Sequence, residues 1–333
     1  MSLLDRRAAF KPDEYPSLLF YKDAIRHSYW VHTEFNVSSD VHDYKVNINN
    51  IERSVIRKTM LAISQIEVSS VKTFWAKLFD RYPKPEIGAV GMTFAESEIR
   101  HADAYAFLLE KLGLNGDFLT IKDIPAMQDR INYLDKYLSG KNSRSDKKYA
   151  LTVLLFAVFI EHVSLFSQFL IMMSFNKANG ERFKGISNIV EATSKEEDIH
   201  GKFGIEIVHI LKREFPEWFD EEMEQDIVKA CVKAEEAEHK ILDWIFEEGE
   251  LEHLPKELIV NFVRDRFNSS LSALDIEPIF EVDKHMLEKT KWFDEETKMS
   301  KDNDNFNKRS TAYSKKTKSK EQINLKRWRQ ISM

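Results

Sequence analysis

The amino-acid sequence predicts an all-α protein, and two observations carry that prediction. Apolar residues recur at spacings of three and four, and no convincing alternation with a period of two, as a strand would show, is present. Gly and Pro are scarce, with 10 and 8 in 333 residues, which disfavours turn-rich β folds and suits long helices. Apolar residues make up 43% of the chain, enough to bury a large core.

The apolar periodicity predicts a series of helices, several of which have ends marked by Pro or Gly. Pro83 and Pro85 follow the second helix, Gly113 follows the third and Gly249 the seventh. Four of the helices are long, and long helices joined by short connections favour an antiparallel bundle. The predicted ranges are 16–30, 51–80, 92–112, 126–138, 149–175, 187–213, 220–248, 256–273 and 278–290.

Charge is distributed unevenly along the chain. From Lys301 to Met333, ten Lys or Arg residues stand against three acids, so this segment carries +7. The whole chain carries −6, which leaves −13 for the remainder. We therefore predict a helical domain over residues 1–293 and a flexible basic tail over residues 294–333. Because the acidic domain would repel nucleic acid, we expect no nucleic-acid partner.

The cysteine content and the apolar runs predict a cytoplasmic location. A single cysteine, Cys231, allows no intrachain disulfide and is typical of a reducing compartment. Residues 1–16 lack the apolar core of a signal peptide. The most apolar run, Ala150 to Ile160, is too short to span a bilayer, so we expect no membrane partner.

Glu161 is unusual because it interrupts a strongly apolar stretch, LTVLLFAVFIEHVSLFSQFLIMMSF. A carboxylate buried there without a partner would cost several kcal/mol or would remain protonated. A buried Arg or Lys partner, or a helix face turned to solvent, would also explain this residue when the helix is considered alone.

Glu-x-x-His pairs place a carboxylate and an imidazole one turn apart on the same helix face, a spacing suited to metal binding. Their surroundings distinguish the candidates. Glu250/His253 lies past a helix end, and Glu236/His239 lies in an acidic, solvated run. Glu206/His209 lies nine residues beyond Glu197/His200 on the same helix and therefore faces the opposite side. The pairs are Glu98/His101, Glu197/His200, Glu206/His209, Glu236/His239 and Glu250/His253, of which we keep the first two.

The two retained pairs belong to a repeated arrangement in which a helix with one isolated Glu precedes a helix with Glu-x-x-His. Glu67 precedes Glu98 by 31 residues, and Glu161 precedes Glu197 by 36. Ferritin-like di-iron and di-manganese carboxylate bundles use this ligand set, in which four carboxylates offset two divalent cations. Oxygen and imidazole donors without thiolates favour Mn or Fe over structural Zn. The predicted ligands are Glu67, Glu98, His101, Glu161, Glu197 and His200.

At this point the chain resembles the radical-generating small subunit of class I ribonucleotide reductases. EIRHADAY, from Glu98 to Tyr105, resembles the family's E-x-x-H-x-x-x-Y segment, whose tyrosine carries a stable radical. AIRHSYW, ending in Trp30, resembles the segment whose tryptophan passes an electron between the metal site and the surface. Glu196 occupies the place of an acid linking that tryptophan to a metal-bound histidine, and NFNKRSTAY makes Tyr313 the expected relay in the tail.

The resemblance implies a ferritin-like four-helix bundle with additional helices, and a protein that works as one component of an enzyme. Its dimetal site would react with oxygen or a reduced oxygen species and send a one-electron oxidant through Trp30 and Tyr313 to a separate catalytic subunit. That catalytic (α) subunit would make the deoxyribonucleotides needed for DNA replication. Ribonucleotide reduction needs several redox cysteines, so a chain with Cys231 alone should be inactive by itself. A homodimer is also implied.

Two departures from the family pattern affect the details. The first ligand is usually Asp in this family and is Glu67 here, which is similar to subclasses that use two manganese ions. We therefore expect manganese rather than iron, and leave open whether the oxidant resides on Tyr105 or on the metals. The tail is strongly basic where many relatives are acidic or neutral, so its docking groove on the catalytic subunit would be acidic.

Three other functions fit parts of the sequence. A dimetal-carboxylate oxidase acting on a small molecule would share the six ligands but would need a substrate cavity and no radical relay. A ferritin-type storage protein would be shorter than this chain. A structural helical protein whose basic tail binds nucleic acid would leave Glu161 and the repeated ligand arrangement unexplained.

Overall fold

The computed structural model describes residues 2–68, 71–138, 142–178 and 182–297, and within these ranges there are helices and no β-strand. The all-α prediction is therefore confirmed for the described chain. The helices are α1 (Leu19–His27), α2 (Ser38–Val46), α3 (Asn50–Glu67), α4 (Val71–Arg81), α5 (Pro85–Leu112), α6 (Asn115–Leu119), α7 (Pro125–Leu138), α8 (Asp146–Leu155), a π-helical segment (Phe156–Ser164), α9 (Phe166–Ala178), α10 (Lys184–Glu214), α11 (Glu221–Ile245), α12 (Lys256–Ser272) and α13 (Lys284–Thr297).

Four helical segments form the central bundle: α3, α5, the continuous run from α8 through the π segment to α9, and α10. α3 packs against α5 and α9, and α10 packs against the π segment, α9 and α5. The shorter α1 and α4 lie along α5, whereas α7, α11 and α12 cover the other side of the bundle. This arrangement places one metal-binding candidate segment on each of the four central elements.

Helix α3 ends earlier than the periodicity predicts. The predicted helix over 51–80 consists of two helices, because α3 stops at Glu67 with Val68 as its C-cap and α4 starts at Val71. A capping box fixes the beginning of α3, where the Asn49 side chain accepts from the backbone of Glu52 and the Glu52 carboxylate accepts from the backbone of Asn49. Glu67 is therefore the last residue of its helix rather than an interior one.

Helix α5 begins earlier than predicted, at Pro85 instead of residue 92. The sequence interpretation treated Pro85 as a helix breaker, but proline suits the first helical position because its missing N–H has no partner there. Gly113 ends the helix in the left-handed region with φ 74°. The resulting 28-residue helix is long enough to span the bundle.

The π segment interrupts the predicted helix 149–175 and carries Glu161. π-helical turns widen the helix locally and often occur at functional sites. α10 approaches this segment closely at Gly204, where an added Cβ would lie 2.0 Å from the Cβ of Ala157. Glycine at this position therefore brings α10 and the π segment within reach of one another.

The segment Asp146–Ala178 is long and apolar enough to cross a membrane, yet 89% of its most apolar stretch is buried inside the protein. Its apolar character is thus that of a core helix. At the other end of the domain, α13 continues past the predicted boundary at 293/294 as far as Thr297. The predicted flexible tail therefore begins too early, because residues 294–297 are helical, and residues 298–333, which include Tyr313, lie outside the described residues.

Candidate metal centre

The four central elements each direct carboxylates or imidazoles into the middle of the bundle. α3 supplies Glu67, α5 supplies Glu98 and His101, the π segment supplies Glu161, and α10 supplies Glu197 and His200. Each of these side chains is 5% exposed or less. Such burial of four carboxylates requires compensating positive charge.

The six side chains fall into two overlapping groups whose potential ligand atoms lie within 4.8 Å of one another. Glu98 belongs to both groups and lies between them. One group also contains Glu67 and His101, and the other contains Glu161, Glu197 and His200. Two groups that share one carboxylate could hold two neighbouring ions, with Glu98 available to either of them.

The imidazole hydrogen bonds indicate which ring nitrogens are available for a metal. His101 donates from Nε2 to the carboxylate of Glu196 at 2.7 Å. Ser97 Oγ donates to a backbone carbonyl, so it accepts from His200 Nε2 at 3.0 Å. In the neutral form of both histidines the Nε2 atom therefore carries the proton, and Nδ1 faces the ligand carboxylates.

Each Nδ1 lies close to oxygens that can only accept. His101 Nδ1 is 3.0 Å from Glu197 Oε1, and His200 Nδ1 is 3.0 Å from Glu98 Oε1. Glu67 Oε1, Glu98 Oε1 and both Nδ1 atoms are buried without a partner in hydrogen-bonding geometry. Cations placed between these atoms would satisfy all of them, so the donor set fits divalent metals.

The electrostatics also indicate a site that needs positive charge. Burial raises the pKa of Glu67 and Glu161 well above the usual range. Burial would raise the pKa of Glu197 too, but contacts with Glu161 and both histidines lower it. Burial alone would lower the pKa of His101 and of His200. The surrounding carboxylates raise it by more, so the pKa of both histidines lies well above its usual range. Metal binding would therefore displace protons from the site.

Trp75 on α4 is a site residue that the sequence analysis missed. Its indole Nε1 donates to Glu161 Oε1 at 3.1 Å, while Glu161 Oε2 faces His200 Nδ1 at 3.4 Å. Trp75 is fully buried, and its ring lies edge-on to Phe94 and Phe156. No spacing in the sequence connects Trp75 with Glu161, because they lie on different helices 86 residues apart.

Tyr105 lies one helical turn beyond His101 on α5 and has no solvent exposure. Burial, followed by the negative charge of Glu67, raises the pKa of Tyr105 well above its usual range. The phenol therefore remains protonated at neutral pH, and loss of an electron from it would have to be coupled to loss of its proton.

Trp30 and Glu196 both lie beside His101. The Trp30 indole stacks on the His101 ring with centroids 5.9 Å apart and planes at 17°, and is 4% exposed. Glu196, which has no solvent exposure, accepts from His101 but does not contact the indole N–H, which has no hydrogen-bond partner among the described residues. Arg100 links the two instead, donating to both oxygens of Glu196 and to the Trp30 carbonyl.

The three Glu-x-x-His pairs set aside in the sequence analysis lie away from the centre. Glu206 accepts hydrogen bonds from Ser17 and Tyr21 on the outside of α10. His239 is 39% exposed at its side chain, as expected for a solvated face. His253 faces Ser174 at 3.0 Å, beyond the end of α11.

Comparisons with known proteins agree with this arrangement. Residues 7–286 match the family model described as ribonucleotide reductase, small chain. A probable ribonucleoside-diphosphate reductase small subunit of Invertebrate iridescent virus 3 is 24% identical over 340 aligned positions, covering 95% of this chain and 86% of that protein. Its counterpart in Invertebrate iridescent virus 6 is 29% identical over 225 positions, which cover 64% of this chain and 62% of the relative.

Among solved structures, the ribonucleotide reductase R2 subunit from Clostridium botulinum superimposes with a TM-score of 0.79 at 17% sequence identity. The superposition covers 90% of this chain and 95% of that one. At this level of identity the likeness concerns the fold, and it supports the helical bundle described above.

Proposed function

Because this chain belongs to the ribonucleotide reductase small-chain family, we propose that its six central ligands hold two metal ions which supply a one-electron oxidant to a separate catalytic subunit. The chain is then the small subunit of a ribonucleoside-diphosphate reductase, an oxidoreductase that makes deoxyribonucleotides for DNA replication. The observation that carries this proposal is the pair of buried Nδ1 atoms that have no hydrogen-bond partner and lie 3.0 Å from buried carboxylate oxygens. The ligands are Glu67, Glu98, His101, Glu161, Glu197 and His200.

Manganese is the metal we propose, with iron as the other candidate. When bound, the two ions would supply oxidising power after exposure to oxygen or to a reduced oxygen species. Glu67 is the last residue of α3 and shares one ligand group with Glu98 and His101. Its side chain is one methylene longer than the Asp usual at this position, and this supports a centre that differs from those with Asp.

The oxidising equivalent would leave the centre by way of His101 and the stacked indole of Trp30 and then reach the surface, while the electron travels in the opposite direction. Stacking at 5.9 Å brings the two π systems close enough for rapid electron transfer. Glu196 holds the Nε2 proton of His101 and thereby fixes the ring that faces the indole. Tyr105 is the proposed alternative holder of the oxidant, and Tyr313, outside the described residues, is the proposed relay to the catalytic subunit.

The buried, unreactive thiol of Cys231 supports the proposal that a second subunit is required. Its thiol is buried, and burial followed by the charge of Glu235 raises its pKa to about 12. A thiol with such a pKa is not a nucleophile or a redox partner at neutral pH. The cysteine chemistry of ribonucleotide reduction therefore has to take place on the partner.

We also propose that two copies associate through α5. Met92 and Ile99, seven residues apart on one face of this helix, are 58% and 51% exposed, and Ala106 continues the stripe. Phe20 on the neighbouring α1 is 63% exposed. Exposed apolar stripes of this kind are typical of homodimer interfaces.

The acidic domain and the buried apolar helix support a cytoplasmic protein with neither nucleic acid nor membrane as a partner.

The experiment is reconstitution with Mn²⁺ or Fe²⁺, followed by exposure to oxygen or superoxide, EPR spectroscopy and turnover measurements with the catalytic subunit. We expect two ions per chain and turnover only when both subunits are present. A narrow tyrosyl signal would place the oxidant on Tyr105, and a wide manganese multiline signal would place it on the metals. Two bound ions with oxidation of a small molecule and no dependence on the catalytic subunit would contradict the proposal and favour the oxidase.

A further inference from the structure

Arg100 occupies a buried position between the proposed electron carrier and the metal-binding histidine. Its side chain is 5% exposed, although it lies on α5 directly before His101. Nη1 and Nη2 donate to the two oxygens of Glu196 at 3.2 and 3.1 Å, and Nη1 also donates to the Trp30 carbonyl at 3.2 Å. One guanidinium thus connects the backbone of Trp30 with the carboxylate that orients His101.

We propose that Arg100 is a positioning residue for electron transfer, which holds the Trp30 indole in its stack on His101 through a two-pronged contact with Glu196 and a hydrogen bond to the Trp30 backbone. The inference rests on the proposed function, because it assigns a role in the route from His101 through Trp30. It adds a residue that neither the ligand set nor the family resemblance identified.

The position of Trp30 in the chain explains why contacts with Arg100 would be needed to hold it. Trp30 lies in the connection between α1 and the short turn His32–Glu34, outside any helix. Its indole N–H has no hydrogen-bond partner among the described residues, so no hydrogen bond fixes the rotation of the ring directly. The hydrogen bond from Arg100 ties this connection to α5, the helix that carries His101.

The charge of Arg100 has a second consequence for Glu196. A carboxylate with no solvent exposure requires a positive partner, and the paired oxygens of Glu196 match the planar fork of a guanidinium. A lysine would keep the charge but could not contact both oxygens and the Trp30 carbonyl in the same way. The remaining donor, Nε, reaches Glu96, whose side chain is 47% exposed.

Contacts between Arg100 and aromatic rings also support its positioning role. The guanidinium lies 4.6 Å from the ring centre of Tyr29 and 5.7 Å from that of Trp30. Arg100 therefore contacts two successive aromatic side chains of this connection as well as its backbone. These three contacts, two with rings and one with the backbone, restrict the connection more than a single hydrogen bond would.

Electrons and protons balance along this route. The Trp30 indole gives one electron towards the oxidised centre through His101 and regains one, by way of the proposed relay Tyr313, from a cysteine thiol of the catalytic subunit. That thiol becomes a thiyl radical and releases its proton on the catalytic subunit. Arg100 and Glu196 exchange neither electrons nor protons in this scheme, and they act through position alone.

The test compares Arg100→Gln and Arg100→Lys with the unaltered chain, each loaded with metal and combined with the catalytic subunit. Glu96→Gln is the matched control, because it removes the negative charge of the exposed partner of the same guanidinium. We expect turnover to fall about tenfold or more in Arg100→Gln and several-fold in Arg100→Lys, since small displacements of reacting groups reduce rates strongly. Glu96→Gln should match the unaltered chain.

Three further readouts distinguish positioning from general damage. Metal content should remain two ions per chain, the melting temperature of Arg100→Lys should stay close to that of the unaltered chain, and the affinity for the catalytic subunit should not change. The effect should thus appear in kcat rather than in the concentration of catalytic subunit needed. If Arg100→Gln fails to fold, Arg100→Lys decides, and full turnover in Arg100→Lys overturns the inference.

Trp30→Phe separates this inference from the proposed function. Loss of turnover in Trp30→Phe together with normal turnover in both Arg100 variants would refute the role of Arg100 and leave the route intact. Full turnover in Trp30→Phe would refute the route itself, and the inference with it.

Discussion

Arg130→Met should destabilise the protein strongly, because Arg130 forms a buried ion pair with Glu238 and also donates to the backbone of two ligand-bearing segments. Arg130 is 1% exposed and its partner Glu238 is 2% exposed, with 3.1 Å between them. Arg130 also donates to the carbonyls of Ala62 and Ser164 at 3.0 and 2.7 Å and to Gln168 at 2.8 Å. The two carbonyls lie on α3 and on the π segment, close to the isolated carboxylates of those elements.

The size of the loss in unfolding free energy follows from the buried groups that Arg130→Met leaves without a partner. Glu238 would lose its countercharge, and burial already raises its pKa even though Arg130 opposes that shift. Removing one partner of a buried ion pair costs about 3–5 kcal/mol of unfolding free energy. Replacing both partners, in Arg130→Met with Glu238→Leu, removes the unpaired charge and should recover part of the loss. About 1–3 kcal/mol would remain because the backbone carbonyls lose their donor.

Urea unfolding of the metal-free protein measures these differences as changes in the midpoint at constant slope. The control is Lys233→Gln, which breaks a solvated pair with Glu236, whose two side chains are 62% and 48% exposed. We expect this control to stay within about 0.5 kcal/mol of the unaltered chain. An Arg130→Met variant as stable as the control, or a double variant no better than the single one, would refute the reasoning.

Four other substitutions test the centre and the route. Trp75→Phe removes the donor to Glu161 Oε1 and should weaken metal binding about tenfold by competition with a chelator; unchanged affinity would show that the indole does not orient the carboxylate. Phe169→Ser places a polar group in the buried part of α9. If this apolar helix shields the centre from water, the substitution should shorten the lifetime of the oxidised centre in EPR time courses, as should a polar residue at Phe166; equal lifetimes would argue against shielding. Tyr313→Phe should abolish turnover with the catalytic subunit while two ions remain bound, and full activity would eliminate the tail relay.

The bundle and the composition of its centre follow from short-range patterns in the sequence. Apolar spacing defines most helices, and Glu-x-x-His spacing places two ligands on one helix face regardless of what surrounds it. Glu161 stands out because its neighbours are apolar on all sides of the helix. These signals were enough to predict the six residues that the structure brings together, although their role as ligands remains a proposal.

The remaining features depend on contacts between distant parts of the chain. The end of α3 at Glu67 and the π turn at Glu161 do not alter the apolar pattern, so periodicity predicted two uninterrupted helices. Trp75 donates to Glu161 and Arg100 donates to Glu196, in each case from a different helical segment. No spacing in the sequence predicts a contact of this kind. The expected direct contact between Glu196 and Trp30 is replaced by Arg100, whose position before His101 gave no hint of a buried side chain.

The central claim is that two metal ions lie between the two histidines and the four carboxylates. Anomalous diffraction from crystals grown with Mn²⁺, measured on either side of the manganese absorption edge, tests it most directly. We predict two anomalous peaks, both within bonding distance of Glu98, one beside His101 and the other beside His200. A single peak, or peaks that contact neither histidine, would contradict the dimetal centre.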